Sequence, residues 1–277
     1  MVLNFPLEAS VIKFSTAIFP PIVDPLLSLR HIQLNEERFL LHVRNVASYL
    51  VEHGEQITVY PHKDADNDSV NLFLNGSVLG ALLHQRAMLP FHGSTFNYNG
   101  TIVMICGNSG SGKSSVTAAF CQNGARFIND DITPVRITQT ETRVIPIRTR
   151  IKLWEDSLRS LKINHEKLDK IRPSIAKFYI PSQEIYPHED VLNHLIVLRS
   201  NEQGNFQTKE FKGMDKYNLL RHQIYRKSYL KGMPETEKTY FKQLLQMGQN
   251  VRVTQVIRPQ HCNIYDLMEY IKTEILA

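Results

Sequence analysis

The stretch from Gly107 to Ser115, GNSGSGKSS, follows the apolar run TIVMIC at 101–106, and its reading decides the fold. Three glycines, five hydroxyl or amide side chains and one lysine in nine residues cannot build a packed core. Where a strand leads into a helix, such a turn lets several backbone N–H groups converge on one point, and converging N–H groups attract an anion. The spacing Gly107-(four residues)-Gly112-Lys113-Ser114 satisfies the pattern G-x-x-x-x-G-K-[ST] at every defined position. The pattern predicts that the amides of Asn108, Ser109, Gly110, Ser111, Gly112, Lys113 and Ser114 wrap a β-phosphate, with Gly107 and Ser115 bounding the site. Lys113 then neutralises charge between the β- and γ-phosphates of ATP, and the Ser114 hydroxyl faces Mg²⁺.

Outward from the loop, Val116, Ala119 and Phe120 share one face of a short helix that Gly124 can cap. The next strand, ARFIN, ends in Asp130-Asp131. Successive side chains alternate across a strand, so two adjacent carboxylates face different ways and take different roles. One is expected at Mg²⁺ and the other at the proton of an attacking hydroxyl. A solvated turn or a helix cap ahead of Thr133-Pro134 competes with that reading. Upstream, FHGSTF and GTIVMIC bend around Asn99-Gly100, a hairpin signal. His92, just before that hairpin, is either a packed, hydrogen-bonded residue or part of a proton network at the γ-phosphate.

Downstream, RTRIKLW places Arg148, Arg150 and Lys152 at alternating positions, on one face of a strand, where they could meet phosphate or an acidic peptide. Trp154 reads as a core anchor. The basic run LLRHQIYRKSYLKG reads as a solvated face.

Residues 1–68 are strand-rich, with SYLVEHGEQITVYP forming a hairpin around Gly54. DADND at 64–68 has the start of a calcium loop, but Ser69 and Asn75 stand where that loop needs glycine and glutamate, so it reads as a turn. Leu74, Val78, Ala81, Leu82 and Gln85 recur at helical spacing, a helix expected to pack beside the nucleotide core. Further strands are expected at TRVIPI, HLIVL and VRVTQVI, and helices at 235–247 and 264–276 behind Asn263. The alternation predicts an α/β fold: a β-rich N-terminal region, 1–68, and a P-loop catalytic domain, 69–277.

Across 277 residues, 42% are hydrophobic and 21% charged, which excludes a disordered chain. A net charge of +5 without a long basic run suits phosphorylated ligands and falls short of a nucleic-acid footprint. Three scattered cysteines build neither a disulfide framework nor a zinc site. No basic leader and no membrane-spanning apolar run is visible, so the expectation is a cytoplasmic protein with no membrane or nucleic-acid partner.

The segment HGSTFNYNGTIVMICGNSGSGKSS…NGARFINDD resembles the catalytic core of the HPr kinase/phosphorylase family in order and spacing from His92 to Asp131. The flanks LLHQRAMLPFHGS and IPIRTRIKLWEDSL resemble the shorter HPr-kinase-like proteins encoded with ribosomally made peptides, including lasso-peptide kinases that phosphorylate a serine of a precursor peptide. The resemblance implies an ATP- and Mg²⁺-dependent serine kinase acting on a peptide or protein. It implies Asp130 as general base, Asp131 and Ser114 at the metal, and His92 in proton handling. The family includes hexamers, so a homo-oligomer is open. Ser115 stands where bifunctional members carry glutamate, and their E-x-R-G signature is missing downstream, so a one-way kinase is expected. A nucleotide-binding regulator and a small-molecule kinase are the alternatives.

Overall fold

The computed structural model describes residues 5–7, 11–16, 19–172, 175–182, 184, 186–202 and 204–277. They divide into two compact units, one of residues 1–90 and 224–243, the other of residues 91–223 and 244–277.

In the first unit, β1 (Val11–Phe14), β2 (Leu27–Leu29), β3 (Ile32–Leu34), β4 (Arg38–Val43), β5 (Ala47–Glu52) and β6 (Gln56–Pro61) form one sheet in the order β1-β6-β5-β4-β3-β2. The expected hairpin around Gly54 joins β5 to β6, with His53 and Gly54 both at positive φ, as a tight turn between right-twisted strands demands. DADND is only partly the expected turn: the chain turns over 62–65, the Ala65 N–H donating to the His62 carbonyl at 3.1 Å, and Asn67 and Asp68 are already helix. Asp66 caps α1 (Asn67–Phe73), its Oδ1 accepting from the Ser69 N–H at 2.7 Å. A π-helical turn, Leu74–Val78, then leads into α2 (Leu79–Gln85).

The apolar stripe Val70, Leu74, Val78, Ala81 and Leu82 packs on Phe39, Tyr49, Val51 and Ile57 of the sheet. This helical segment therefore packs within the first unit, which runs to residue 90, where the sequence grouped it with 69–277. Part of the basic run is also core here. Tyr229 and Leu230 are buried, and Tyr229 packs against Phe39 with ring centroids 4.9 Å apart.

A short strand, β7 (Leu89–Phe91), precedes the second unit, which begins with β8 (Gly93–Tyr98) and β9 (Thr101–Gly107). Asn99 and Gly100, both at positive φ, close their hairpin as expected. The chain continues through α3 (Lys113–Gln122), β10 (Arg126–Asn129), β11 (Thr133–Ile137), β12 (Thr142–Val144), β13 (Arg150–Trp154) and α4 (Glu155–Ser160). It ends with β14 (Lys177–Pro181), β15 (Asp190–Asn201), β16 (Gln207–Glu210), α5 (Gly213–His222), α6 (Pro234–Asn250), β17 (Arg252–Pro259) and α7 (Ile264–Glu274).

The strands neighbour one another in the order β10-β8-β9-β15-β17-β16, with β9, β15 and β17 mutually parallel. Parallel neighbours need helical crossovers, and α3 and α7 pack together against the sheet. Val116, Ala119 and Phe120 of α3 meet Val103, Ile105, Ile196, Leu267 and Ile271 in one core. Phe96 stacks on Phe120 at 4.5 Å, a pair whose burial contributes on the order of 2–3 kcal/mol per ring. β13 and β14 form a separate two-stranded ribbon whose Ile151, Leu153 and Phe178 join the same core. Trp154, expected as an anchor, is 50% exposed instead, because it alternates away from Ile151 and Leu153. Among the described residues no helix is long and apolar enough to cross a membrane.

Each unit buries one neutral histidine. In the first, His84 Nε2 lies 2.9 Å from the Tyr225 carbonyl and Nδ1 lies 3.1 Å from the Tyr240 hydroxyl. Burial pushes its pKa down to about 4, against the opposing pull of the Tyr225 carbonyl. In the second, His194 lies 2.8 Å from Thr254 Oγ1 and is also lowered to about 4, by burial and then by Arg252 and Lys216. Below pH 6.5 the unfolded chain takes up protons at these positions and the folded chain does not, so their stabilisation is full above pH 6.5 and lost as pH falls toward 4. Urea unfolding at pH 7.5 and 4.5 should show this loss, with a contribution of up to about 3 kcal/mol from each group at full titration. The His194→Asn variant should show a flatter pH dependence than the native chain.

Candidate functional site

β9 is buried along most of its length and delivers the chain to Gly107. Gly107 has φ +139°, and a Cβ there would lie 2.5 Å from the Leu198 carbonyl oxygen and 2.8 Å from Ser111 Oγ. Only glycine fits. Gly110 and Gly112, at φ +80° and +99°, turn the chain through left-handed conformations into α3. Asn108, Ser109 and Gly110 form the exposed crest, and the Ser111 N–H donates back to the Asn108 carbonyl at 3.1 Å. The first amides of α3 have no intrahelical acceptor and sit at the positive end of the helix dipole. Lys113, 8% exposed, folds back so that Nζ donates to the carbonyls of Gly107 at 2.9 Å and Asn108 at 3.0 Å. Burial holds its pKa below the usual lysine range. Among the described residues, the buried Ser111 Oγ has no hydrogen-bond partner.

Opposite the loop, the two carboxylates directly follow the end of β10. Asp130, 2% exposed, accepts from Ser114 Oγ at 2.7 Å through Oδ1 and from the Lys152 backbone N–H at 2.8 Å through Oδ2. Asp131 lies at φ +73°, which swings its carboxylate away from Ser114. Its Oδ2 accepts from Lys152 Nζ at 2.8 Å, and its Oδ1 lies 3.6 Å from His92 Nδ1. The Asp131 carbonyl accepts from the same ring nitrogen at 2.9 Å. Burial opposes charge on Asp131, but the Lys152 ammonium and then Arg148 offset it and hold the carboxyl well below the usual carboxylate range, with His92 adding to this only when its ring is protonated. Burial and the nearby Lys113 lower the His92 pKa, against the pull of Asp131, which leaves the ring neutral at pH 7 with Nδ1–H donating.

Ser114 therefore meets Asp130 and not Asp131, the reverse of the expected pairing. The reason is local. The strand ends at Asn129, whose buried amide donates to the Ile145 carbonyl and accepts from the Ile147 N–H, both at 2.8 Å. Asp130 is the next residue to alternate toward α3, and the left-handed turn at Asp131 sends the second carboxylate to the His92 side.

The loop, Lys113, Ser114, Asp130, Asp131 and His92 thus come together. Ser115 does not face the loop, since its hydroxyl donates to Ser157 of α4 at 3.1 Å. Arg148 acts on Asp131 through its charge. Arg150 turns away, its guanidinium 4.0 Å above the Tyr179 ring.

Two residues carry more of the site than sequence reading gave them. Lys152 holds both carboxylates, one with its backbone N–H and one with its ammonium. The alternation of RTRIKLW marked its face but not its partners. Arg258, at the end of β17, donates through Nε to the Ser111 carbonyl at 3.1 Å and braces the loop from outside. No local motif signals it.

Among the described residues no cluster of three or more His, Cys, Asp or Glu forms a metal cage. One hydroxyl and one carboxylate beside the loop suit Mg²⁺ arriving with phosphate oxygens, since that ion keeps most of its shell as water and phosphate.

No family model matches the chain, and no curated protein matches it. Among solved structures it is similar to the Hpr(Ser) kinase/phosphatase from Coxiella burnetii, with 11% identity, 68% of this chain and 90% of that chain covered, and a TM-score of 0.39.

The crowding at Gly107 yields a direct test. Gly107→Ala forces a Cβ against a backbone carbonyl in a φ region closed to alanine, so it should destabilise the second unit by about 2–3 kcal/mol in denaturant unfolding. Gly110→Ala, with nothing within 4 Å of its Cβ, should cost only its φ strain, about 1 kcal/mol.

Proposed function

We propose that the protein is a P-loop kinase that moves the γ-phosphoryl group of ATP to a serine hydroxyl on a peptide or protein. The observation that carries this reading is the Ser114–Asp130 bond at 2.7 Å, which sets the glycine loop directly against a carboxylate pair. Resemblance of 84–160 to HPr-kinase-like proteins supports the serine acceptor and suggests a ribosomally made precursor peptide.

Each residue has a task that follows from its position. The loop amides and the α3 N-terminus hold the phosphates, and Lys113 exchanges the Gly107 and Asn108 carbonyls for phosphate oxygens. Ser114 and Asp130 are the oxygen donors placed to hold Mg²⁺, which when bound neutralises charge on the β- and γ-phosphates. Asp131 takes the proton of the incoming serine as its oxygen bonds to the γ-phosphorus and the bond to the β–γ bridging oxygen breaks. The two carboxylates thus exchange the roles that the resemblance implies. A proton accepted late in a loose transition state depends on placement more than basicity, so an ionised, immobilised Asp131 suits the task. His92 and Lys152 are positioning residues that fix its orientation.

A regulator that binds nucleotide without transferring phosphate is the second reading. Binding requires only Ser114 and Asp130. The further arrangement of His92, Lys152 and Arg148 around Asp131 favours the enzyme.

Transfer is read as the mass gain of one phosphoryl group on serine-bearing peptides incubated with Mg-ATP. Lys113→Ala should abolish nucleotide binding. Asp131→Asn should slow transfer by about 10²–10⁴-fold with Mg-ATP affinity nearly unchanged, the usual contribution of a positioned base. Asp130→Asn should instead raise the Mg²⁺ concentration needed. If Asp131→Asn transfers at the native rate, the exchanged assignment is wrong.

A further inference from the structure

Parallel sheets of this kind bind ligands in crevices outside the carboxyl ends of their strands. β9 leads into the glycine loop; its parallel neighbour β15 ends at Asn201, and β17, the next parallel strand beyond β15, ends at Pro259. Those two ends are tied together, the Gln260 N–H donating to the Asn201 carbonyl at 2.9 Å. Beyond them, between the segments that follow the two strands, lies an open cavity of about 580 Å³ lined by Glu202, Phe206, Gln260, His261, Cys262 and Asp266. That volume falls in the range of small-molecule pockets.

The cavity is coupled to the loop by one side chain. Arg258 donates to the Ser111 carbonyl on the loop side at 3.1 Å, and through Nη1 to the carbonyls of Pro259 at 3.0 Å and Gln260 at 2.9 Å on the cavity side. Ile264, the first residue of α7, also lies against the loop, with Cδ1 3.9 Å from where a Gly112 Cβ would sit. A molecule with its phosphates on the amides of α3 thus has this cavity next to it.

We propose that the cavity beyond the ends of β15 and β17 receives the amino-bearing purine base of the phosphoryl donor. This rests on the reading of the glycine loop as a nucleoside triphosphate site. The chemistry of the walls fits a flat base with donor groups on its edge. Phe206 is held rigid by stacking on Tyr270 at 4.6 Å and supplies an apolar wall with Pro259. The carboxylates of Glu202 and Asp266 accept hydrogen bonds and offer none, so they match an exocyclic amine. The Gln260 amide both donates and accepts, as the neighbouring ring nitrogens require.

Cys262 is a built-in reporter because it lines the cavity and is half-buried. Cys106 is buried outright, and burial pushes the Cys121 thiol up to about 12, which leaves it slow to react. The native protein is treated with iodoacetamide alone, with Mg-ATP or with Mg-tripolyphosphate, and alkylation is read by peptide mass spectrometry alongside calorimetric affinities for both ligands. Mg-ATP at ten times its Kd should slow Cys262 alkylation about tenfold, and tripolyphosphate at the same saturation should not. Asp266→Ala should weaken Mg-ATP about tenfold through a lost hydrogen bond to the base and leave tripolyphosphate affinity unchanged. Equal protection by both ligands would trace the effect to the loop and overturn the proposal. So would binding of Mg-ATP with no protection, or an Asp266→Ala loss shared by both ligands. If neither ligand binds, the phosphate site itself fails and the base pocket falls with it.

Discussion

Two carboxylates on consecutive residues, at the end of a strand that is mostly buried, repel each other and lose hydration together. Everything at this site depends on how that cost is offset. Lys152 does it with one residue. Its backbone N–H satisfies Asp130 and its ammonium pairs with Asp131, each at 2.8 Å, while only 10% of its side chain reaches solvent. Removing one member of such a buried pair typically costs about 3–5 kcal/mol, because the remaining charge has no partner. The β13–β14 ribbon that carries Lys152 is thereby part of the site, although it pairs with neither neighbour of the glycine loop.

The same bond set gives the two acids different surroundings. Asp130 spends both oxygens on Ser114 and on a backbone amide, which locks it to the loop. Asp131 keeps one oxygen turned toward a neutral imidazole and a quarter-exposed surface. A site that only held nucleotide would be complete with the first. The second requires a left-handed backbone, a neighbouring histidine and a buried lysine, and residues in strained backbone conformations gather where chemistry is done. In the loop, Lys113 is satisfied by the carbonyls of Gly107 and Asn108.

Much of this was legible in the chain. GNSGSGKSS marked the turn from β9 to α3, Asn99-Gly100 the hairpin before it, and ARFINDD the strand that ends at the acids, because glycine conformations and strand alternation act over a few residues. The helical spacing of 70–86 was read correctly as helix, yet its place was not, since an apolar stripe states that something covers it and not which sheet does. Trp154 shows the same limit. Aromatic character suggested burial, and the alternation set by Ile151 and Leu153 put it outside.

What the amino-acid order determined by itself was the local layout: a glycine-rich turn from strand to helix, two carboxylates that had to diverge, and a run of cations at alternating positions. What only the tertiary structure decided was which acid met which partner. That choice turned on the left-handed conformation of Asp131, on an asparagine that pins residues 145–147, and on a lysine brought in from 21 residues further along the chain. Such contacts join segments distant in sequence, and no periodicity records them.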